Sequence, residues 1–305
     1  MRWLVRTTLS AWLIAFALCQ TAFADDPEPS AIPVLVYHQI STPEHPLPAK
    51  SDVTELSRFS EQMAYLHTNG YQAITTRQLV DFMMHGGPVP HKAFVLHFDD
   101  GWKSVLAALP ILERYDFGAA FWIIAGKGIG GDYLDWNDII ALSRNPRYEV
   151  YSHTMTHPWD PRNNLVSWEQ GKILGKSLAD VDWEIGESKR VLEKKLGRPV
   201  PYLAWPIGAY NDELIKAAAR SGYVALFTID SGGNEIGGDV LRVRRNQISG
   251  FLCDTDDFAA ILEGGHPRYC EQRELEKRAG LAWHSDSRHL IISFGLHCGS
   301  RRCSR

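Results

Sequence analysis

The run Val95-Leu96-His97-Phe98 ends abruptly in Asp99-Asp100-Gly101, and no other stretch of the chain narrows the possible folds so far. A short apolar run of this kind reads as a buried strand. Such a strand cannot carry two adjacent carboxylates into a core, because each raises the cost of ionising the other. They fit where the strand opens at the mouth of a sheet or barrel, with a cation neutralising one carboxylate and leaving the other as a base. Further along, Ser152-His153-Thr154-Met155-Thr156-His157 also follows a short apolar stretch, residues 148–151. One carboxylate and two imidazoles make a ligand set suited to a catalytic ion of the zinc type with positions left open for water. Together the two segments point to a metal-dependent hydrolase.

The surrounding pattern supports that placement. Strands are expected at residues 32–37, 71–75, 94–98, 119–125, 148–151, 203–205, 223–229 and 241–248. Helices are expected at 54–66, 76–84, 102–115, 136–142 and 212–221, with a long amphipathic helix marked by Leu178, Val181, Ile185 and Leu192 before Gly197. Alternating strands and helices are the signature of an α/β fold with a parallel sheet. In such folds chemistry gathers at the C-terminal ends of the strands. Asp99, Asp100, His153 and the turn after Trp205 all fall at such ends. His153 and His157 are four positions apart, one turn if helical, so both imidazoles can face one ion.

Arg2 and Arg6 precede an apolar run at residues 11–19, and Ala22-Phe23-Ala24 supplies a small-x-small pattern. This predicts a secretory signal peptide at residues 1–24 and a mature chain beginning at Asp25 in an extracytoplasmic compartment, periplasmic or secreted. No segment beyond it is long and apolar enough to span a bilayer, so no transmembrane segment is expected after cleavage. A net charge of -4 and a pI near 6.3 give no reason to expect nucleic acid as a partner. Beyond the signal, Cys253, Cys270, Cys298 and Cys303 permit disulfides in an exported chain, and the sequence does not choose among the pairings. After residue 265 the periodicity fades, so residues 25–265 are expected to form the catalytic domain and 266–305 a C-terminal appendage without an assigned role.

The segments Leu96-His97-Phe98-Asp99-Asp100-Gly101 and Ser152-His153-Thr154-Met155-Thr156-His157 resemble the first two motifs of the polysaccharide deacetylases, the NodB-homology group of carbohydrate esterase family 4. The resemblance extends over residues 31–264. It implies a distorted (β/α) barrel of about seven strands and hydrolysis of N-acetyl groups on amino-sugar polymers. By position, Asp100, His153 and His157 match the family's metal ligands and Asp99 its catalytic base. Two departures stand out. The family's third motif is usually Arg-x-Pro-Tyr, whereas the matching turn here is Ala204-Trp205-Pro206-Ile207-Gly208, so what orients Asp99 is open. Trp205, Pro206, Ile207 and Gly208 are the substrate-binding candidates, with Trp205 either lining the sugar groove or buried in the core. The general-acid histidine, usually near the chain's end in the family, has two candidates here, His38 and His297. The His38 arrangement is similar to that of the permuted deacetylases acting on poly-β-1,6-N-acetylglucosamine and is preferred. His97, where the family often has Thr, and Trp136 are expected to serve packing.

The expected activity is therefore removal of N-acetyl groups from N-acetylglucosamine units of an exopolysaccharide resembling poly-β-1,6-N-acetylglucosamine. It would use a divalent ion, Zn2+ ahead of Co2+ or Ni2+ on the nitrogen-rich ligand set. Peptidoglycan, chitin and acetylated xylan are the rival substrates. An inactive polysaccharide-binding protein is the rival of another class, and retention of both Asp99 and His38 speaks against it.

Overall fold

In the computed structural model, residues 31–128, 130–248, 250 and 255–264 are described. The expected signal peptide, His297, the four cysteines and the C-terminal appendage lie outside the described residues.

The strands Ile32–Tyr37 (β1), Ala93–Phe98 (β2), Ala119–Ile123 (β3), Tyr148–Ser152 (β4), Tyr202–Ala204 (β5) and Ala225–Phe227 (β6) are buried at every position. Burial on both faces is what a parallel sheet covered by helices demands. The order within the sheet follows the chain, β1 through β6, with every one of these pairs parallel. A two-residue strand, Gly233–Asn234, adds to β1 in the antiparallel sense, and Gln72–Ala73 pairs with β2. The last strand, Asn246–Gln247 (β7), pairs in parallel with Leu35 and Val36 of β1. Just before it, Val243 forms a parallel bridge to Phe227 of β6. Residues 243–247 thus join the two edges of the sheet and curl it toward a barrel. The expected α/β architecture is the observed one.

The helices are Leu56–Thr68 (α1), Thr76–His85 (α2), Leu109–Tyr115 (α3), Trp136–Arg144 (α4), Leu165–Glu169 (α5), Leu178–Leu196 (α6), Asp212–Arg220 (α7) and Thr255–Leu262 (α8). Local chemistry sets several of their ends. Thr75 and Gln78 form a capping box at the start of α2, and Gly86 in the left-handed region (φ 68°) stops it. Ser177 with Asp180 and Gly197 (φ 66°) do the same for α6. Residues 102–115, expected as one helix, divide into a 3-10 helix Lys103–Ala108 and then α3. Pro110 is the reason: it has no N–H to donate back and can be tolerated only in the first turn of a new helix.

Inside the curl, His97 is fully buried and meets the rings of Trp122 (5.0 Å) and Phe227 (5.4 Å), as its expected packing role requires. These aromatic contacts fill the space beneath the strand ends. The expected strand at 241–248 survives only as β7, preceded by a 3-10 helix Val240–Arg242. Its residues leave β6 and cross to β1, so no single partner pairs them throughout. Two buried asparagines make up the missing bonds. Asn234 donates to the carbonyls of Ile32 (3.1 Å) and Arg244 (3.0 Å), and accepts from Arg244 N–H (2.9 Å). Asn246 donates to Gly232 O (3.0 Å) and accepts from Gly232 N–H (2.9 Å). Among the described residues, no helix is long and apolar enough to cross a membrane.

Candidate active site

Each candidate side chain follows a strand, and the sheet's hydrogen bonds set them side by side. Asp99 N–H donates to Tyr37 O (2.9 Å), so the residue after β2 lies next to His38, the residue after β1. In the same way His153 N–H donates to Ile123 O (2.9 Å) at the end of β3. The backbone then turns sharply. Among the described residues the non-glycine positions with positive φ are Asp100 (70°), Asp116 (54°), Thr154 (63°), His157 (56°) and Ile207 (49°). All except Asp116 lie in the segments that follow β2, β4 and β5. Such conformations cost energy and persist only where the surroundings over-determine them. They also correct the helical reading of the His pair: His153 and His157 converge through a left-handed loop, not along a helix face.

Two anchors hold that loop. Glu184 of α6, fully buried, accepts from Met155 N–H (3.0 Å), Thr156 N–H (2.8 Å) and the Thr156 hydroxyl. On the other side, Ala125 and Gly126 donate to the carbonyls of Thr154 (3.0 Å) and Met155 (2.9 Å). A Cβ at position 126 would stand 2.7 Å from Met155 O, so only glycine permits this approach.

Asp100, His153 and His157 come together with one ligand atom from each, all within 4.8 Å of one another. Asp100 Oδ1 is 3.4 Å from both imidazole Nε2 atoms. It is buried and has no hydrogen-bond partner, which is costly unless something else satisfies it. The His153 tautomer suits a ligand, because Nδ1 lies 2.9 Å from Ala204 O, which can only accept, leaving the Nε2 lone pair toward the cluster. Two nitrogens and one carboxylate oxygen, with an orphaned acceptor among them, fit a divalent ion of the zinc type.

Asp99 lies beside this cluster, with Oδ2 3.8 Å from His153 Nε2. Its carboxylate is gripped by Arg245 through Nη1 to Oδ1 (2.8 Å) and Nη2 to Oδ2 (2.9 Å). Burial alone would raise the Asp99 pKa, but Arg245, with His153 and His38, overcomes it and holds the group down at about 2. Burial likewise opposes ionisation of Asp100, yet the three neighbouring histidines keep it well below the usual range. For His153 burial favours the neutral ring, and the two aspartates outweigh it and raise the pKa. Burial and the His153 charge lower His157 to about 4.

The turn after β5 departs from expectation. Trp205 is fully buried, packed with Leu203, Leu214 and Ala218 rather than lining a groove. Strand alternation explains this: Trp205 is two residues from Leu203, so both point to the outer face, under α6 and α7. Pro206 is buried as well, which leaves Ile207, 39% exposed, and the partly buried Gly208 at the surface. His38 is partly buried, with Nδ1 enclosed and without a hydrogen-bond partner.

Three residues escaped the sequence reading. Arg245 answers what orients Asp99, and it stands with Arg242 and Arg244 in the expected strand 241–248, where nothing local singles it out. Glu184 falls on the α6 stripe defined by Val181 and Ile185, where a carboxylate has no reason to be unless something binds it. The indole of Trp102 donates to Asp100 Oδ2 (2.9 Å), and nothing in the local sequence announces it.

Replacing Arg245 by Met should leave Asp99 a buried charge without its bidentate partner, at a cost of roughly 3–5 kcal/mol. The sign follows from the depressed Asp99 pKa: its contribution is complete above the ordinary value of 3.8 and is lost as pH falls toward about 2. Urea unfolding should show the full deficit of Arg245→Met at neutral pH and a narrowing one below pH 3.8. A deficit independent of pH would contradict this account.

Residues 86–226 match the family model for polysaccharide deacetylase, a span that includes Asp99, Asp100, His153 and His157 but neither His38 nor Arg245. YxkH of Bacillus subtilis, whose name assigns it to the polysaccharide deacetylases, is 25% identical over 244 residues, 80% of each chain. The poly-beta-1,6-N-acetyl-D-glucosamine N-deacetylase of Escherichia coli K12 is 26% identical over 211 residues, 58% of this chain and 31% of that protein. The chain therefore spans about a third of that relative's length. Among solved structures, the Streptococcus pyogenes deacetylase PplD in complex with acetate aligns with a TM-score of 0.65 at 24% identity, over 76% of this chain and 99% of that one, a likeness of fold. Residues 86–226 are thus a polysaccharide deacetylase domain by motif and by family match, and the fold is that of the deacetylases it resembles.

Proposed function

We propose that the protein is a metal-dependent N-deacetylase acting on N-acetylglucosamine units of an exopolysaccharide resembling poly-β-1,6-N-acetylglucosamine. The observation that carries the chemistry is the buried Asp100 Oδ1, unpartnered and 3.4 Å from the Nε2 atoms of His153 and His157, beside an Asp99 carboxylate locked by Arg245. The named activity of the Escherichia coli relative supports the substrate class.

Asp100 Oδ1, His153 Nε2 and His157 Nε2 would hold the ion, and this donor set suits Zn2+, with Co2+ or Ni2+ as substitutes. When bound, such an ion supplies Lewis acidity, making water more acidic and polarising the acetyl carbonyl. Asp99 accepts the proton of the attacking water as general base. Arg245 keeps that carboxylate ionised and aimed, since a bidentate pair fixes both oxygens. At the turn after β5, Pro206 has no N–H and that of Gly208 goes to Trp205 O (3.0 Å), so the N–H of Ile207 is the donor left for the developing oxyanion. His38, one residue beyond β1 and close enough for its charge to act on both Asp99 and Asp100, protonates the departing amine.

Acetate release from an N-acetylglucosamine oligomer should vanish after dialysis against a strong chelator and return with zinc or cobalt. Because His153 is raised and His157 is already neutral near pH 7, metal uptake there should displace a proton, seen by calorimetry in buffers of different ionisation enthalpy. Full turnover in metal-free protein would overturn the reading.

Asp99→Asn and His38→Ala should each lose on the order of 10² to 10⁴ in kcat while retaining normal metal content. If His297→Ala abolishes turnover and His38→Ala does not, the acid comes from the C-terminal region, and the preference for a poly-β-1,6-N-acetylglucosamine-like polymer over peptidoglycan or chitin falls with it.

The charged, then apolar, then small-residue pattern of residues 1–24 supports export with a mature chain beginning at Asp25. Intact mass of the protein recovered from the extracytoplasmic fraction decides this, and a chain retaining Met1 would refute it.

A further inference from the structure

Asp100 presents its two oxygens to two different environments. Oδ2 accepts the indole N–H of Trp102 at 2.9 Å, while Oδ1, unpartnered, is the oxygen facing both imidazoles. An indole N–H is a donor only, so it can neither ligate an ion nor exchange roles with the carboxylate. The ring is itself held in place. Tyr133 stacks on it with centroids 4.4 Å apart and planes inclined by 20°. The two residues also form an antiparallel backbone bridge, flanked by Lys103 N–H to Asp132 O (2.8 Å) and Leu134 N–H to Gly101 O (2.9 Å). Lys127 also approaches Tyr133, with Nζ 5.2 Å from the ring centre. Asp100 sits on a left-handed backbone (φ 70°), so its carboxylate is fixed from the main chain as well as from the side.

We propose that Trp102, clamped by Tyr133, is a positioning residue that limits Asp100 to a single ligating oxygen and so sets both the affinity and the ion preference of the cluster. This rests on the metal reading above. A carboxylate released from the indole can turn both oxygens to a cation, and a bidentate carboxylate suits larger, oxygen-preferring ions of high coordination number. Held by one oxygen beside two imidazoles, the site favours an ion content with few, nitrogen-rich ligands. Outer partners of this kind, which orient a ligand without touching the ion, are typically worth about 10- to 100-fold in metal affinity.

Cobalt(II) is the probe, because its visible absorption weakens as coordination number rises. In Trp102→Phe, which keeps an aromatic ring for Tyr133 and removes the donor, cobalt affinity by calorimetry should fall roughly 10- to 100-fold. The visible bands should lose intensity, and manganese affinity should fall less than cobalt affinity. Tyr133→Leu, which frees the indole without deleting its N–H, should shift all three readings in the same direction by a smaller amount. A Trp102→Phe protein with wild-type cobalt affinity and spectrum overturns the inference. If that variant does not fold, unchanged affinity and spectrum in Tyr133→Leu overturn it instead. A wild-type protein that takes up no cobalt refutes the metal reading itself, an outcome distinct from either variant result.

Discussion

Arg245 is completely buried, and a guanidinium tolerates that only when its donors find partners. Here Nε donates to Thr228 O (2.6 Å) just past β6, and the two terminal nitrogens take both oxygens of Asp99 just past β2. The guanidinium also lies 5.7 Å from the Trp122 ring centre inside the curl. A buried pair of this kind adds little net stability over an apolar substitute, because desolvating both charges offsets most of their attraction. What it supplies is specificity of arrangement. Arg245 belongs to the segment that joins the sheet's two edges, and its own N–H bonds to Asp230 O (3.0 Å). Closing the sheet and aiming the carboxylate are thus one event: if residues 243–247 do not dock, Asp99 loses both hydrogen bonds from Arg245.

The rest of the site is built by forcing the backbone to turn quickly after strands that end level with one another. A strand can deliver one side chain to its mouth, but a cluster of three candidate ligands needs more than one strand and a reversal between them. The left-handed residues Asp100, Thr154 and His157 provide the reversals, and none is a glycine that would adopt them freely. Glu184 of α6, Gly126 just past β3 and Trp102 just past β2 hold these turns. The strain is therefore borne by hydrogen bonds from three separate elements, which also makes the cluster rigid before anything binds.

The gathering of Asp and His residues at the strand ends was readable because it is local. Asp99-Asp100 directly follows an apolar run, and His153 follows another, so each motif carries its structural context within a few residues. Trp205 was not readable in the same way. Its strand is buried on both faces, and without polar and apolar alternation the sequence holds no record of which face the indole takes. Arg245 posed the same problem at longer range. Its partner is 146 residues away, and two consecutive arginines in a presumed strand do not say which one turns inward.

The sequence alone determined the α/β order of elements, the strand ends where the Asp and His residues meet, and the helix stop at Gly197, because all of these follow from periodicity and from residues adjacent in the chain. Only the tertiary structure decided that Arg245 holds Asp99, that Glu184 pins the His loop, that Trp102 takes one oxygen of Asp100, and that Trp205 faces outward under α6 and α7. Trp102 shows the difference most plainly: it is two residues from Asp100, yet its orientation depends on Tyr133 stacking from another loop. Each of these depends on how strands curl and which faces the helices cover, and those are settled by packing among distant segments, for which no residue's neighbours in the chain supply the information.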